Sequence, residues 1–442
     1  MIDSIWSETA HAPEFEALKS DAKTDVLIIG GGIAGILCAF MLKQAGVEYM
    51  LVEADRICRG VTRNTTAKIT AQHGLIYDRL IREFGTEAAQ MYLKANLTAV
   101  EKYRELCRGI DCGFEDKDSF VYAADTLDRI EKELSALERI GFAAEFSDSL
   151  PLPVRAAGAV KFRDQAQFDP PKFLYAVAGD LNIREHTKVL AFVRNGVVTS
   201  GGRISAEKII VATHFPLLNK HGGYFLKLYQ NRAYVAALRS AQNVNGMYIG
   251  ESEKGLSFRN YGDLLLLGGE SGRTGKKSGG WDALREFAKE HYPDSEEVCR
   301  WAAQDCMSLD GVPYIGQYSS NTPNLYVAAG FNKWGMSSAM VSALILSDMV
   351  QGRKNEYAAV FSPSRSILRP QLAVNAAEAV VSLLTLTAPR CPHMGCALKY
   401  NRAERSWDCP CHGSRFAEDG ALLDNPATED KRMGKKAGKS AD

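Results

Sequence analysis

Residues 25–53 read DVLIIGGGIAGILCAFMLKQAGVEYMLVE. An apolar run, VLIIG, leads through a glycine turn into the long apolar stretch ILCAFMLKQAG, and the segment closes on a second short apolar run ending at Glu53. Run lengths and patterning predict strand, helix, strand. The turn GGGIAG at 30–35 fits G-x-G-x-x-G in the one context that gives this pattern meaning. Gly30 makes the tight turn, Gly32 lets the backbone approach a pyrophosphate, and Gly35 lets helix and strand pack closely. The helix start then offers free N–H groups and a positive dipole end to phosphates. Glu53 lies 23 residues past Gly30, at the end of the second strand, where a carboxylate can bind ribose hydroxyls. The segment predicts a dinucleotide site; the plainer alternative is a tight turn in an α/β sheet.

The turn by itself does not separate FAD from NAD, which share an ADP half. Later segments bear on the choice. RGVTRNTTAKITAQHG at 59–74 is rich in hydroxyls and backbone donors suited to a second phosphate and a large ring system. KVLAF at 188–192 and KIIVATH at 208–214 read as later strands closing the site around an adenine. LDGVPYIGQY at 309–318 and VAAGFNKWGM at 327–336 place another glycine turn before a helix. With these segments the chain resembles the FAD-dependent oxidoreductases of the D-amino-acid oxidase and glycine oxidase superfamily over most of residues 20–352. It is most similar to a subgroup carrying TTAKxTAQHG and GFxKWGM with a Rieske domain fused behind. The resemblance implies that Gly30, Gly32, Gly35, Glu53, Thr65, Thr66, Lys68, Val189, Gly330, Trp334, Gly335 and Met336 surround FAD. It also implies a small-molecule substrate, an amine or amino acid, that gives a hydride to the flavin, or the reverse flow.

The far end reads CPHMGCALKYNRAERSWDCPCH at 391–412. Cys391-Pro-His393 and Cys409-Pro-Cys411-His412, with 15 residues between His393 and Cys409, form C-x-H followed by C-x-x-H. Two thiolates on one iron and two imidazoles on the other make a Rieske 2Fe-2S centre, so the predicted ligands are Cys391, His393, Cys409 and His412. Replacing two thiolates by imidazole raises the potential to roughly −150 to +300 mV, against about −400 mV for a plant-type ferredoxin. Such a centre is a good acceptor from a reduced flavin. By the resemblance, the remaining Cys396 and Cys411 pair as a disulfide across the two loops. A Cys2His2 zinc site has compatible ligand chemistry but gives no reason for the two further cysteines. Only SLLTLTAPR separates the helix-like VNAAEAVV from Cys391, so the small β module is expected to be short of strands at its base.

Other candidates carry less specific signals. His73, in TAQHG, and Lys333, in GFNKWG, are placed to orient a substrate or relay a proton; the plain readings are a loop hydrogen bond and a solvated charge. Tyr229, Arg232 and Tyr234 sit in a strand where relatives place substrate contacts, and aromatic sheet packing explains them as well.

Composition bounds the rest. The 442 residues are 46% hydrophobic and 24% charged, with 53 basic and 53 acidic side chains, so no net field attracts nucleic acid or an anionic membrane. The N-terminus has no basic start before an apolar run, and no window approaches about 18 uninterrupted apolar residues. A cytoplasmic protein with clustered metal-ligating cysteines is expected. The predicted fold class is α/β, with a Rossmann-like FAD-binding domain from 1–80, 155–215 and 305–360. A mixed-sheet α+β substrate domain takes 81–154 and 216–304. A linker at 361–380 joins a small all-β Rieske-like module, 381–442, ending in a charged, disordered tail. The partners are then the substrate and an external electron acceptor or donor, with no nucleic acid and no membrane. The alternative is a plain FAD oxidase using oxygen, its C-terminal module unassembled or zinc-binding.

Overall fold

The computed structural model describes residues 3–218, 221–385 and 387–431. The tail expected to be disordered lies, from residue 432 onward, outside the described residues.

The opening segment folds as its patterning predicts, into strand Ala22–Ile29, helix Ile33–Gln44 and strand Tyr49–Val52. These seed an eight-stranded sheet. Its order is Tyr314–Gln317, Leu325–Ala329, Gly202–Val211, Ala22–Ile29, Tyr49–Val52 and Ile183–Arg184, with the hairpin Val189–Val193 and Gly196–Thr199 beside Gly202–Val211. The central pairs are parallel, which buries both faces and accounts for continuous apolar runs such as Leu27–Ile29. Helix Ile33–Gln44 packs between this sheet and helix Gly335–Val350. Its Ile36, Leu37 and Leu42 are fully buried, each contributing about 1.5–3 kcal/mol.

A nine-stranded sheet follows the order Glu296–Ser308, Leu228–Arg239, Leu264–Arg273, Ser257–Tyr261, Met247–Gly250, Glu115–Ala123, Gly158–Gln167 and Lys68–Ile69, with Glu145–Ser147 on Gly158–Gln167. Between these strands the chain forms two successive helices, Tyr77–Phe84 and Thr86–Cys107, rather than one. The cause is Gly85 at φ +88°, a conformation costly for residues with a Cβ.

The third sheet is a four-stranded antiparallel meander of Lys399–Asn401, Ser406–Asp408, Arg415–Ala417 and Leu422–Asp424. All four strands follow Cys396. In place of a strand before it stands helix Pro370–Leu384, whose Ala379 packs on the module's core and whose Ser382 carbonyl accepts from Ala397 N–H at 3.2 Å. Among the described residues no helix is long and apolar enough to cross a membrane.

Candidate functional site: a cavity and a cysteine–histidine centre bordered by one sheet

The glycine turn has no room for side chains. Gly30 has φ +111°, and a Cβ on it would lie 2.5 Å from the Ala212 carbonyl oxygen; one on Gly35 would lie 1.9 Å from the Gly30 carbonyl oxygen. Gly31 N–H donates to Glu53 Oε2 at 2.7 Å, and Ile33 N–H at the helix start donates to Thr62 Oγ1 at 3.1 Å. Burial raises the Glu53 carboxyl, and the N–H groups of Asp55 and Gly31 pull against that rise. The turn opens onto a cavity of about 1130 Å³, larger than a drug-sized pocket and of a size for a dinucleotide with a substrate.

Gly30, Gly32, Glu53, Thr65, Thr66, Lys68, Val189, Gly330, Trp334, Gly335 and Met336 all line this cavity, as do His73 and Lys333. Gly35 does not; it lies one turn into the helix, where close packing needs it. The polar stretch around Thr65 is held by side chains its own sequence does not reveal. Trp301 Nε1 donates to Asn64 O, Trp6 Nε1 to Thr65 O, and Arg259 Nη1 to Thr66 O and Ala67 O. Four successive carbonyls are thereby taken, and the Thr65 and Thr66 side chains border the cavity. Lys68 Nζ donates to Thr66 Oγ1 and Ser257 Oγ, and burial, aided by Arg259, pushes its pKa down to about 7.

His73 is buried with both ring nitrogens engaged. Nε2 lies 2.9 Å from Thr70 O and Nδ1 2.6 Å from Tyr92 Oη. The ring stacks on Trp334, with centroids 4.9 Å apart. Burial lowers its pKa to about 3, so it is neutral and suited to positioning Trp334. Lys333, at φ +74°, donates to Ser271 Oγ at 2.6 Å. Burial lowers its pKa while Asp305 and Glu253 oppose that fall.

Over Tyr229–Ala233 the nine-stranded sheet divides the site by alternation, and the register shifts beyond Arg232. Tyr229, Asn231 and Ala233 stand opposite Met307, Asp305 and Ala303, and all six line the cavity. The intervening Gln230, Arg232 and Gln304 face the C-terminal module instead. Gln230 Nε2 donates to His412 O at 2.8 Å, and Gln304 Nε2 to Gly413 O at 2.8 Å. Arg273, at a strand end, donates through Nε to Pro410 O at 2.7 Å and through Nη2 to Cys411 O at 3.0 Å. Four consecutive carbonyls of the second cysteine loop are thus held by three side chains of the sheet. Arg273 also lies over the ring of Tyr229, 5.0 Å from its centroid. Of the three strand residues offered as substrate contacts, Tyr229 and Tyr234 line the cavity, whereas Arg232 pairs with Glu404 and lies near Asp424.

Within the module the two boxes come together. Cys391 and Cys409 are buried in one cluster, and Cys396, Cys409 and Cys411 place their sulfurs within 4.8 Å of one another. The rings of His393 and His412 are edge-to-face, 5.0 Å apart, both edge-on to Phe215. His412 Nε2 lies 3.0 Å from Phe225 O, which assigns that nitrogen the proton, and its buried Nδ1 has no hydrogen-bond partner. Burial lowers both imidazoles, His393 to about 4, so both are neutral. An unprotonated, inward nitrogen beside clustered thiols is the donor chemistry a two-iron centre needs. The disulfide implied for Cys396 and Cys411 is corrected: both are free thiols within the sulfur cluster. The second loop is held by the sheet's amide and guanidinium donors rather than by a covalent bridge to the first.

The module is fastened by a buried ion network. Arg415 bonds Glu404, Asp408 and Asp424, and Arg232 bonds Glu404 from the other side. Burial raises the Glu404 carboxyl, but Arg232 and Arg415 outweigh it and hold its pKa below the ordinary value. A carboxyl lowered on folding stabilises fully above its unfolded pKa of about 4.3, and that contribution is lost as pH falls through the folded value. Acid below about pH 4.3 is therefore expected to lower the urea midpoint of the module. Glu404→Gln is expected to cost roughly 3–5 kcal/mol at neutral pH and to flatten that acid dependence. An unchanged midpoint would show that the network does not hold the module.

Known proteins match this arrangement in both parts. Residues 25–349 match the family model described as FAD dependent oxidoreductase, and residues 371–433 that described as Rieske [2Fe-2S] domain. A Bacillus subtilis protein named as a putative Rieske 2Fe-2S iron-sulfur protein, YhfW, is 33% identical, covering 96% of each chain. A D-amino acid dehydrogenase of Rhizobium rhizogenes is 26% identical over 72% of this chain and 75% of its own. The crystal structure of glycine oxidase from Geobacillus kaustophilus superposes with a TM-score of 0.66 at 22% identity, covering 78% of this chain and 99% of that one. At that identity the likeness is one of fold.

Proposed function

Because the chain belongs to the FAD dependent oxidoreductase family and ends in a Rieske [2Fe-2S] domain, we propose that it oxidises a small amine or amino acid in its cavity and delivers the electrons through its C-terminal module to an external acceptor. FAD and a 2Fe-2S cluster are its cofactors. The observation that carries the proposal is the two-sided sheet: Tyr229, Asn231 and Asp305 border the cavity, and their neighbours Gln230 and Gln304 hold the cysteine loop.

When bound, FAD would accept a hydride from the carbon beside nitrogen, and the two-iron centre would accept electrons one at a time. The chain's own residues do the rest. Gly30, Gly31 and Gly32 with the helix start would take the pyrophosphate, and Glu53, which also braces the turn, would take the ribose. Trp334, set by the neutral His73, and Met336 would wall the ring system, with Gly335 heading a helix whose positive end favours negative charge. Lys68, its pKa near 7, is placed to hold or release a proton at Nζ. In the module, Cys391 and Cys409 would hold one iron, and His412 Nδ1 with His393 the other. All ten cysteines are free thiols, which suits a reducing compartment, and we propose the cytoplasm.

Purified protein is expected to show flavin absorption with a broad iron–sulfur band beyond it, and about two iron and two sulfide per chain. Flavin bands alone, with peroxide formed on turnover, would favour the plain oxidase.

A further inference from the structure

In the cavity wall, strands Leu228–Arg239 and Glu296–Ser308 set Asn231 and Asp305 side by side in register. Both present acceptors. Asn231 is 4% exposed, and its Oδ1 has no hydrogen-bond partner. Its Nδ2 lies 3.4 Å from Glu253 Oε1, which fixes which end of the amide is left open. The Asp305 carboxylate makes no side-chain hydrogen bond or ion pair among the described residues. Burial raises its pKa, while Lys333, His214 and Arg232 act from a distance to lower it.

The guanidinium groups around this pair are committed elsewhere. Arg273 spends Nε, Nη1 and Nη2 on Pro410 O, Asn375 Oδ1 and Cys411 O. Arg232 is locked to Glu404, and Lys333, a point charge rather than a fork, directs one of its three N–H groups to Ser271 Oγ. His214 is turned to Gln230 Oε1 at 3.2 Å, and burial lowers its pKa. Glu251, bound to Arg129, and the exposed Glu253 add negative charge to the same wall. A substrate carboxylate seeks a free guanidinium fork. Here it would meet a carboxylate and an amide oxygen.

Resting on the flavin reading of the cavity, we propose that this site takes a cationic amine with no carboxylate beside its nitrogen, the ammonium N–H groups donated to Asp305 and to Asn231 Oδ1. Arg273, the guanidinium that borders the cavity beside this pair, is used to dock the C-terminal module.

The test uses the holoprotein and two probes that share a tert-butyl group and differ in the sign of their charge, tert-butylammonium and pivalate, titrated while the flavin's visible absorption is followed. The ammonium probe has no hydrogen on the carbon beside nitrogen, so it binds without being oxidised. It is expected to bind at least about tenfold more tightly than pivalate, the effect of one buried charge-assisted hydrogen bond. Asp305→Asn should erase that preference, and Asn231→Leu should weaken it, both with flavin bands intact. Pivalate binding as well or better, no response to the ammonium, or an Asp305→Asn protein with its preference unchanged would each overturn the proposal while leaving the flavin reading in place. A purified protein without flavin bands would overturn both.

Discussion

His412→Leu is expected to empty the C-terminal centre of iron, from about two per chain to near zero, while flavin bleaching by substrate persists. The reason is local. His412 Nδ1 is buried and without a hydrogen-bond partner, so its desolvation is offset only by ligation, and no other imidazole but His393 stands within the module. Leucine matches the ring roughly in bulk, and Gln230 still has the residue 412 carbonyl to bind, so the loop keeps its seat. Iron and acid-labile sulfide assays with electron paramagnetic resonance of the reduced protein give the answer. Full iron content in this variant would remove His412 from the ligand set. Zinc in its place would point to the thiol group of Cys396, Cys409 and Cys411 as the true binding site.

The second large effect is expected at Gly35. Alanine there puts a Cβ 1.9 Å from the Gly30 carbonyl oxygen, a backbone atom that cannot move without deforming the turn. Relief by shifting the helix widens the strand–helix junction, with an overpacking cost of about 1–3 kcal/mol or more. At 1.4 kcal/mol per decade, FAD affinity is expected to fall by roughly tenfold to a hundredfold. Gly46→Ala serves as the control. Gly46 also has positive φ, +69°, but nothing lies within 4 Å of a Cβ there, so only a conformational cost of about 1 kcal/mol is expected and FAD is retained. FAD titration of the apoprotein compares the two. Equal affinities would mean that the glycine turn does not cradle the dinucleotide.

The local devices were legible in the sequence because each is contiguous. The turn at Gly30, the stretch ending at His73, the run to Met336 and the two cysteine boxes all carry their meaning in spacing. What was not legible is long-range and built by pairing. Trp6, Arg259 and Trp301 reach the stretch around Thr65 from distant segments. Gln230, Arg273 and Gln304 read as ordinary strand residues until the register shows which side they face. Arg232 has the look of a substrate contact, and only its ion pair with Glu404, 172 residues away, shows that it is turned to the module. The two excess cysteines suggested a bridge because resemblance carries no information on what else holds the loops. The module's lack of strands before Cys391 likewise has a counterpart elsewhere: a helix and the flank of another sheet stand where its base would be.

The period-two alternation of strand Leu228–Arg239 has a consequence for how such a protein diverges. Consecutive residues write to separate compartments, so Tyr229, Asn231 and Asp305 can drift toward a new reactant without disturbing the current's way out, and Gln230, Arg232 and Gln304 can be retuned without altering what is consumed. An insertion of a single residue just before Tyr229 would turn Tyr229 and Asn231 toward the module and Gln230 and Arg232 toward the cavity unless a bulge absorbed it.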